Sequence, residues 1–261
     1  MSRILIVCHT RRKPEAVPVL ERLLPWLRKA AVVVDVVTSR GSALDRARAD
    51  LIVVFGGDGT MLSVARRLKG NPIPVIGVNL GQLGFLAEVP HTELKKILPR
   101  VLKGEYVLSP RMMLRARVEP RAGQPGRDFT ALNDALLLRL PKAAMMSVEV
   151  SVSGEFVARY KGDGLIVSTA TGSTGYSLSA GGPILSERLK AFIMVPICPH
   201  TLANRAIVLS GGESLEIVPE TRSGSKVELV MDGQDSCSLK SGTRVVIEKA
   251  PYEYNLVTVG R

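Results

Sequence analysis

Over its first hundred residues the chain alternates between two periodicities, and that alternation constrains the fold more than any other feature. RILIVC (3–8), VVVDVV (32–37), LIVVF (51–55) and PVIGVN (74–79) are short apolar, β-branched runs, the pattern of strands. Between them Val17, Leu20, Leu23, Leu24 and Leu27 recur at helical spacing over 14–30. Residues 42–49 read as a short helix, and MLSVARRLK (61–69) and HTELKKILPRVLKG (91–104) as two more, the last bent or interrupted at Pro99. Strands alternating with helices predict βαβ units and a parallel sheet covered on both faces. After about residue 105 the texture changes. Strand-like pieces follow one another at 112–119, 130–140, 146–153, 155–160, 164–169, 206–210, 214–218, 226–231, 243–248 and 254–259. Turn signals such as Ser153-Gly154, Gly211-Gly212 and Asp232-Gly233 separate them, and RAGQPGRD (121–128) reads as an exposed loop. The expected architecture is an α/β N-terminal domain with a parallel sheet (1–105) and a β-rich, sandwich-like C-terminal domain (106–249).

Composition narrows the function. The 261 residues are 46% apolar, enough to bury a core, and carry a formal charge of +11. Blocks such as Arg11-Arg12-Lys13, Arg66-Arg67 and Lys95-Lys96 give a surface that either favours anions or simply solubilises the chain. Aromatic residues are only 4%, too few for single-strand binding by base stacking, and no nucleic-acid module is present, so nucleic acid is not an expected partner. No apolar run approaches the ~20 residues of a membrane span. The N-terminus lacks the layout of a signal peptide, and the cysteine usage fits a reduced, cytoplasmic setting. Cys8, Cys198 and Cys237 are far apart and show no CxxC spacing, against a disulfide framework or a zinc site; Cys8 reads as core.

The first chemical motif is FGGDGTM (55–61). A strand buried on both faces ends at Gly56, and ligands of open parallel sheets bind beyond such ends. Gly56, Gly57 and Gly59 leave room for close backbone approach, and Thr60 is a suitable N-cap for a helix from Met61. Free N–H groups at a helix start attract phosphate. Asp58 does not belong in a plain phosphate cradle. It makes sense as a metal ligand or as a base that takes a proton from an attacking hydroxyl; a merely solvated Asp58 in a tight turn is the bland alternative. Neither GxxxxGK[ST] nor GxGxxG occurs here.

Three further stretches carry polar groups in unusual places. NLGQLGFL (79–86) is a second glycine loop at the same sheet edge, or a packing loop. KGDGLIVSTATGSTGYSLSAGGP (161–183) runs a strand into small hydroxyl and glycine residues suited to ribose, phosphate or adenine. Ser173 is no esterase nucleophile, because Thr171 stands where GxSxG needs glycine. Asn133-Asp134 interrupts an apolar strand and is either exposed at a sheet edge or in contact with a ligand. His200 lies in a polar island, PHTLANR, and is structural or functional; His9 and His91 have weaker claims.

Together these residues resemble the NAD kinase family. The resemblance rests on GGDGT (56–60), NLGQLGFLAE (79–88), LND (132–134), DGLIVSTATGSTGYSLSAGGPI (163–184), PICPHTLANRAIVL (196–209) and DGQ (232–234), and covers about 51–235. GGDGT alone is shared with lipid kinases. The resemblance implies transfer of phosphate from ATP, or from polyphosphate, to the 2′-hydroxyl of the adenosine ribose of NAD, giving NADP. It implies a divalent cation, Mg²⁺, on the donor phosphates, with no protein metal site assigned. It also implies a homodimer or homotetramer, and a C-terminal segment (250–261) that packs back on the first domain. Residue by residue, it makes Asp58 the base and Gly59 a substrate contact, with Gly57 and Thr60 beside them. Asn133 and Asp134 would hold the adenosine side of NAD. Lys161 and Asp163 would contact NAD, from this subunit or a neighbour. Thr174, Gly175, Tyr176, Ser177, Leu178 and Ser179 would line the dinucleotide site, with Thr171 and His200 also in it, and Gln234 would close it. Asp134 stands where the family usually has Glu, and Gly175 where Ala is common. A lipid kinase and a non-catalytic NADP sensor are the competing functions; the polar 171–179 run argues against the first and Asp58 against the second.

Overall fold

The computed structural model describes residues 2–8, 14–38, 43–81, 83–120, 125–140, 145–200, 205–221 and 226–259. His9, the basic triplet 11–13, Gln82, the loop tip 121–124 and residues 201–204 of PHTLANR lie outside the described residues. The chain divides into two units, Met1–Arg111 with Glu253–Arg261, and Met112–Tyr252.

The first unit is built from β1 (Arg3–Cys8), α1 (Ala16–Ala30), β2 (Val32–Val37), β3 (Leu51–Phe55), α2 (Asp58–Leu68), β4 (Val75–Asn79), β5 (Val89–Pro90) and α3 (Leu94–Leu102). Its strands run in the order β2-β1-β3-β4, all parallel, with β5 parallel to β4. Every residue of β3 and β4 is buried, as expected of central strands covered on both faces. Ile4, Ile6, Leu27, Phe55, Leu94 and Leu98 form the heart of this core. Cys8 belongs to it, and burial pushes its thiol up to about 11.

Two helical expectations need correction. Residues 43–49 form no helix. Leu44 is buried, and the carbonyls of Leu44 and Ala47 accept the Asn71 amide at 3.0 and 3.0 Å, so tertiary hydrogen bonds replace a helical ladder. The stretch was too short to hold a helix by itself. Of the bend or interruption expected at Pro99, the interruption does not occur, since α3 continues through it to Leu102. Pro99 and Lys95, whose carbonyl a Pro99 N–H would otherwise have bonded, are both exposed residues, so the proline is tolerated on the outer face of the helix.

The second unit is built almost entirely of strands. Its strands are β6 (Val107–Val118, entered from the first unit), β7 (Arg127–Ala131), β8 (Asp134–Arg139), β9 (Met146–Val152), β10 (Glu155–Gly162), β11 (Gly164–Thr169), β12 (Ala191–Ile197), β13 (Ile207–Ser210), β14 (Leu215–Glu220), β15 (Val227–Met231), β16 (Asp235–Leu239) and β17 (Val245–Thr258). A six-stranded antiparallel sheet has the order β13-β12-β11-β8-β15-β16. The other layer contains β10-β9-β14-β17 and the β6–β7 pair. Leu114, Val150, Ile217 and Ile247 from one layer share a core with Leu137, Phe192 and Leu229 from the other. The alternating burial of β9 is the sandwich signature.

The expected strand 130–140 is two strands in different sheets, β7 ending at Ala131 and β8 starting at Asp134. The expected pieces 243–248 and 254–259 are one strand, β17, whose last part pairs in parallel with β4 through Leu256 and Val75. Its exposed and half-buried middle breaks the hydrophobic pattern without breaking the backbone. Strands β12 and β16 fall outside the expected set. The connection 170–190 between β11 and β12 holds only a 3₁₀ turn (Thr171–Thr174) and a single turn of helix, α4 (Tyr176–Ser179).

Candidate active site

The corner after β3 is tighter than the sequence indicates. Helix α2 starts at Asp58, with Gly57 as its extended N-cap, not at Met61 with Thr60 as cap. The Gly57 carbonyl accepts the N–H groups of Thr60 and Met61 at 2.9 and 3.3 Å. Thr60 is buried instead, its hydroxyl against Gly56; a Cβ there would lie 2.4 Å from Thr60 Oγ1. Gly57 has open space around it and Gly59 is exposed. The corner therefore presents bare backbone and, in the first turn of the helix, one carboxylate.

That carboxylate is not merely solvated. Asp58 Oδ2 accepts the Phe85 N–H at 2.9 Å, and Oδ1 accepts those of Leu86 and Ala87 at 3.0 and 3.2 Å. The second glycine loop thus wraps around Asp58. Gly84 makes the approach possible, because a Cβ on it would sit 2.2 Å from Asp58 Oδ1. A cleft of about 430 Å³ opens here, lined by Glu15, Gly57, Asp58, Leu80, Gly81, Leu83 and Gly84. Leu83 and Phe85 project from the same loop, 59% and 69% exposed, and offer an apolar ledge beside a polar corner.

In the second unit the polar kink between β7 and β8 is held from both sides. The Leu132, Asn133 and Asp134 N–H groups all donate to the Asp232 carboxylate, at 3.1, 2.8 and 3.2 Å. The Leu132 carbonyl accepts Thr169 Oγ1 at 2.6 Å, the Asn133 carbonyl accepts the Thr169 N–H at 2.8 Å, and the Asp134 carbonyl accepts the Asp232 N–H at 3.0 Å. Gly172 lies against Asn133, where a Cβ would be 2.3 Å from the Asn133 carbonyl oxygen. So Asn133 meets the Thr171–Gly175 segment directly. Asn133 Oδ1 and Ser177 Oγ are both buried without a hydrogen-bond partner among the described residues. Buried polar atoms are seldom left so, and a ligand's donors would satisfy them. Thr171 and Thr174 are half-buried, Tyr176, Leu178 and Ser179 exposed.

Lys161, Asp163 and His200 are brought together through the backbone. The Lys161 carbonyl accepts the His200 N–H at 2.9 Å, and the Asp163 N–H donates to the Ile197 carbonyl at 3.0 Å. Lys161 and His200 are exposed, whereas the Asp163 carboxylate is ion-paired to Arg139 at 2.6 Å. Gln234 sits in the β15–β16 turn, its N–H donating to the Met231 carbonyl at 2.9 Å.

Asp134 is buried, and its carboxyl is pushed up to about 7, first by burial and then by the charge of Asp232. Its folded pKa lies above its ordinary value of 3.8, so the fold prefers the neutral form. The associated destabilisation is absent below about pH 4, grows as pH rises, and is complete above about pH 7. At about 1.36 kcal/mol per pKa unit it is at most about 4 kcal/mol. Asp134→Asn is therefore expected to be more stable than the parent at pH 8, with the advantage vanishing near pH 4, in denaturant titrations across that range. A variant less stable at pH 8 would contradict this.

An α/β unit with an acid held in a glycine corner at a helix start, and an antiparallel sandwich with polar atoms unpartnered among the described residues, are consistent with a kinase-class enzyme. The ATP-NAD kinase N-terminal domain family matches residues 37–106 and the ATP-NAD kinase C-terminal domain family residues 132–259. A curated NAD kinase of Syntrophotalea carbinolica is 42% identical over 96% of this chain and 90% of its own. Among solved structures, an Archaeoglobus fulgidus NAD kinase in complex with ATP superposes with a TM-score of 0.73 at 29% identity, covering 98% of this chain and 94% of that one. Yeast NADH kinase complexed with NADH shares the fold, with a TM-score of 0.82 at 24% identity over 100% of this chain and 84% of the other. The chain belongs to the NAD kinase family.

Proposed function

We propose that the chain phosphorylates NAD to NADP, moving the terminal phosphoryl group of ATP, or of polyphosphate, to the 2′-hydroxyl of the adenosine ribose. The observation that carries this reading is the fixed Asp58 carboxylate in a glycine corner at a helix start. A passive phosphate site has no use for an acid there, whereas a hydroxyl that must lose a proton does. Oδ1 accepts two N–H groups and Oδ2 one among the described residues, so Oδ2 keeps a lone pair for that proton. In the reaction the 2′-O–H bond breaks and its proton passes to Asp58 Oδ2. The ribose oxygen bonds to phosphorus, and ADP leaves with the electrons of the bond it loses. Such a base contributes about 10²–10⁴-fold, and positioning of donor and acceptor supplies much of the rest.

In this reading Gly57, Gly59 and Thr60 shape the donor side. Asn133, Asp134, Thr171, Thr174–Ser179 and Gln234 take the dinucleotide, and Lys161, Asp163 and His200 contribute from this subunit or a neighbour in a homodimer or homotetramer. The unpartnered Asn133 Oδ1 and Ser177 Oγ support it. A bound divalent cation such as Mg²⁺ would neutralise donor phosphate charge. Among the described residues no group of three His, Cys, Asp or Glu side chains could hold one, and Asp58 is engaged with N–H donors, so the cation would arrive on the phosphates. Among the described residues no helix is long and apolar enough to cross a membrane.

The test is direct. Purified protein incubated with NAD, Mg²⁺ and ATP, and separately with polyphosphate, should form NADP, read with an NADP-specific dehydrogenase. Absence of NADP with both donors, or phosphorylation of diacylglycerol instead, would reject the reading.

A further inference from the structure

Asp232 is used by none of the steps above, yet it organises the Leu132–Asp134 segment of the second unit. It occupies the β15–β16 turn with φ +49°, followed by Gly233 at +62°. Positive φ at both central residues is what a primed hairpin turn requires, and Asp-Gly is a favoured pair for it. Turn chemistry accounts for an aspartate here but not for where its carboxylate goes. The two oxygens accept three consecutive N–H groups, those of Leu132, Asn133 and Asp134, and the Asp232 N–H returns to the Asp134 carbonyl. Thr169 satisfies the remaining carbonyls from the other side. Every backbone polar group of this tripeptide is thereby engaged, and the freedom left is that of the side chains. What projects from the locked segment is a carboxamide whose buried oxygen has no partner among the described residues.

We propose that Asp232 is a positioning residue for dinucleotide binding: its carboxylate fixes the Leu132–Asp134 backbone so that the Asn133 carboxamide is pre-set for the ligand. This rests on the reading that Asn133 contacts NAD. Pre-setting lowers the ordering cost of binding, so its loss falls on affinity. Asp232→Asn keeps the turn, since Asn-Gly suits it equally, but turns one acceptor into a donor facing backbone N–H groups.

The experiment compares wild type, D232N, N133A and the double variant with NAD varied at saturating ATP. D232N is expected to raise KM for NAD by at least about 10-fold, with a smaller fall in kcat, as loss of one well-made charged hydrogen-bond set allows. Because Asp232 acts through Asn133, the double variant should be no worse than about 2-fold beyond the more impaired single variant. A KM for D232N within 2-fold of wild type, or effects of the two substitutions that multiply, would overturn the proposal. Should D232N not fold, Asp232→Ser is read by the same outcomes. Calorimetric titration of NAD into the same proteins measures the affinities without turnover. A wild-type chain that makes no NADP therefore rejects the kinase reading alone and leaves this comparison readable.

Discussion

Asp58→Asn is expected to lower the rate of NADP formation by at least about 10²-fold while NAD still binds. The two side chains have the same shape, and the amide oxygen can still accept the Leu86 and Ala87 N–H groups now on Oδ1. The amide nitrogen would replace Oδ2, lose the Phe85 hydrogen bond and have no lone pair for a proton. Loss of one partly exposed hydrogen bond costs about 1 kcal/mol of stability, too little to unfold the domain. Turnover assays paired with NAD titration separate the two effects. Near-normal turnover would show that Asp58 does not take the proton, whatever else it holds.

Gly84→Ala is expected to reduce kcat by at least about 10-fold, because misplacing a reacting group by an ångström is that costly. A methyl group at 84 would lie 2.2 Å from Asp58 Oδ1 and 2.8 Å from its Cγ, so either the carboxylate or the loop must move. The strain should also lower stability by about 1–3 kcal/mol. The control is Gly212→Ala, where the new Cβ meets only Ser210 Oγ at 3.7 Å. It should melt and turn over like the parent. If Gly84→Ala also behaves like the parent, the loop does not hold the acid in the working enzyme.

These two residues show what could be read from the chain and what could not. LIVVF stopping at a glycine cluster marked the sheet edge, and the lone acid in that cluster marked the chemistry. Both are local signals, and the structure puts Asp58 in the first turn of α2. What holds Asp58 is not local: its three partners are 27 to 29 residues away along the chain. A glycine loop looks the same whether it cradles phosphate or makes way for a carboxylate. Phe85 and Leu83 were invisible for a related reason, since an apolar residue next to core residues reads as core until its exposure is known.

The Asn133-Asp134 kink follows the same logic. A polar pair inside TALNDALLLRL was a visible anomaly, but sheet edge and ligand contact explained it equally well. The structure supplies a third cause, a chain crossing between layers, stabilised by an acid about a hundred residues later. The Asp232-Gly233 signal predicted a turn and stopped there, because no spacing rule tells which way a turn aspartate points its carboxylate. Strand β12 could have been inferred from FIMVPI, a wholly apolar run after a glycine-rich loop. Strand β16, DSCSL, could not, since three of its five residues are exposed.

Whether the Asp58 carboxylate frees the ribose oxygen for attack on phosphorus is tested most directly by the structure of the protein with NAD and a non-transferable ATP analogue bound together. The 2′-oxygen is expected within about 3.2 Å of Asp58 Oδ2, or joined to it by one water. A 2′-oxygen out of reach of Asp58, and of every water that touches it, would contradict a role for Asp58 as the base.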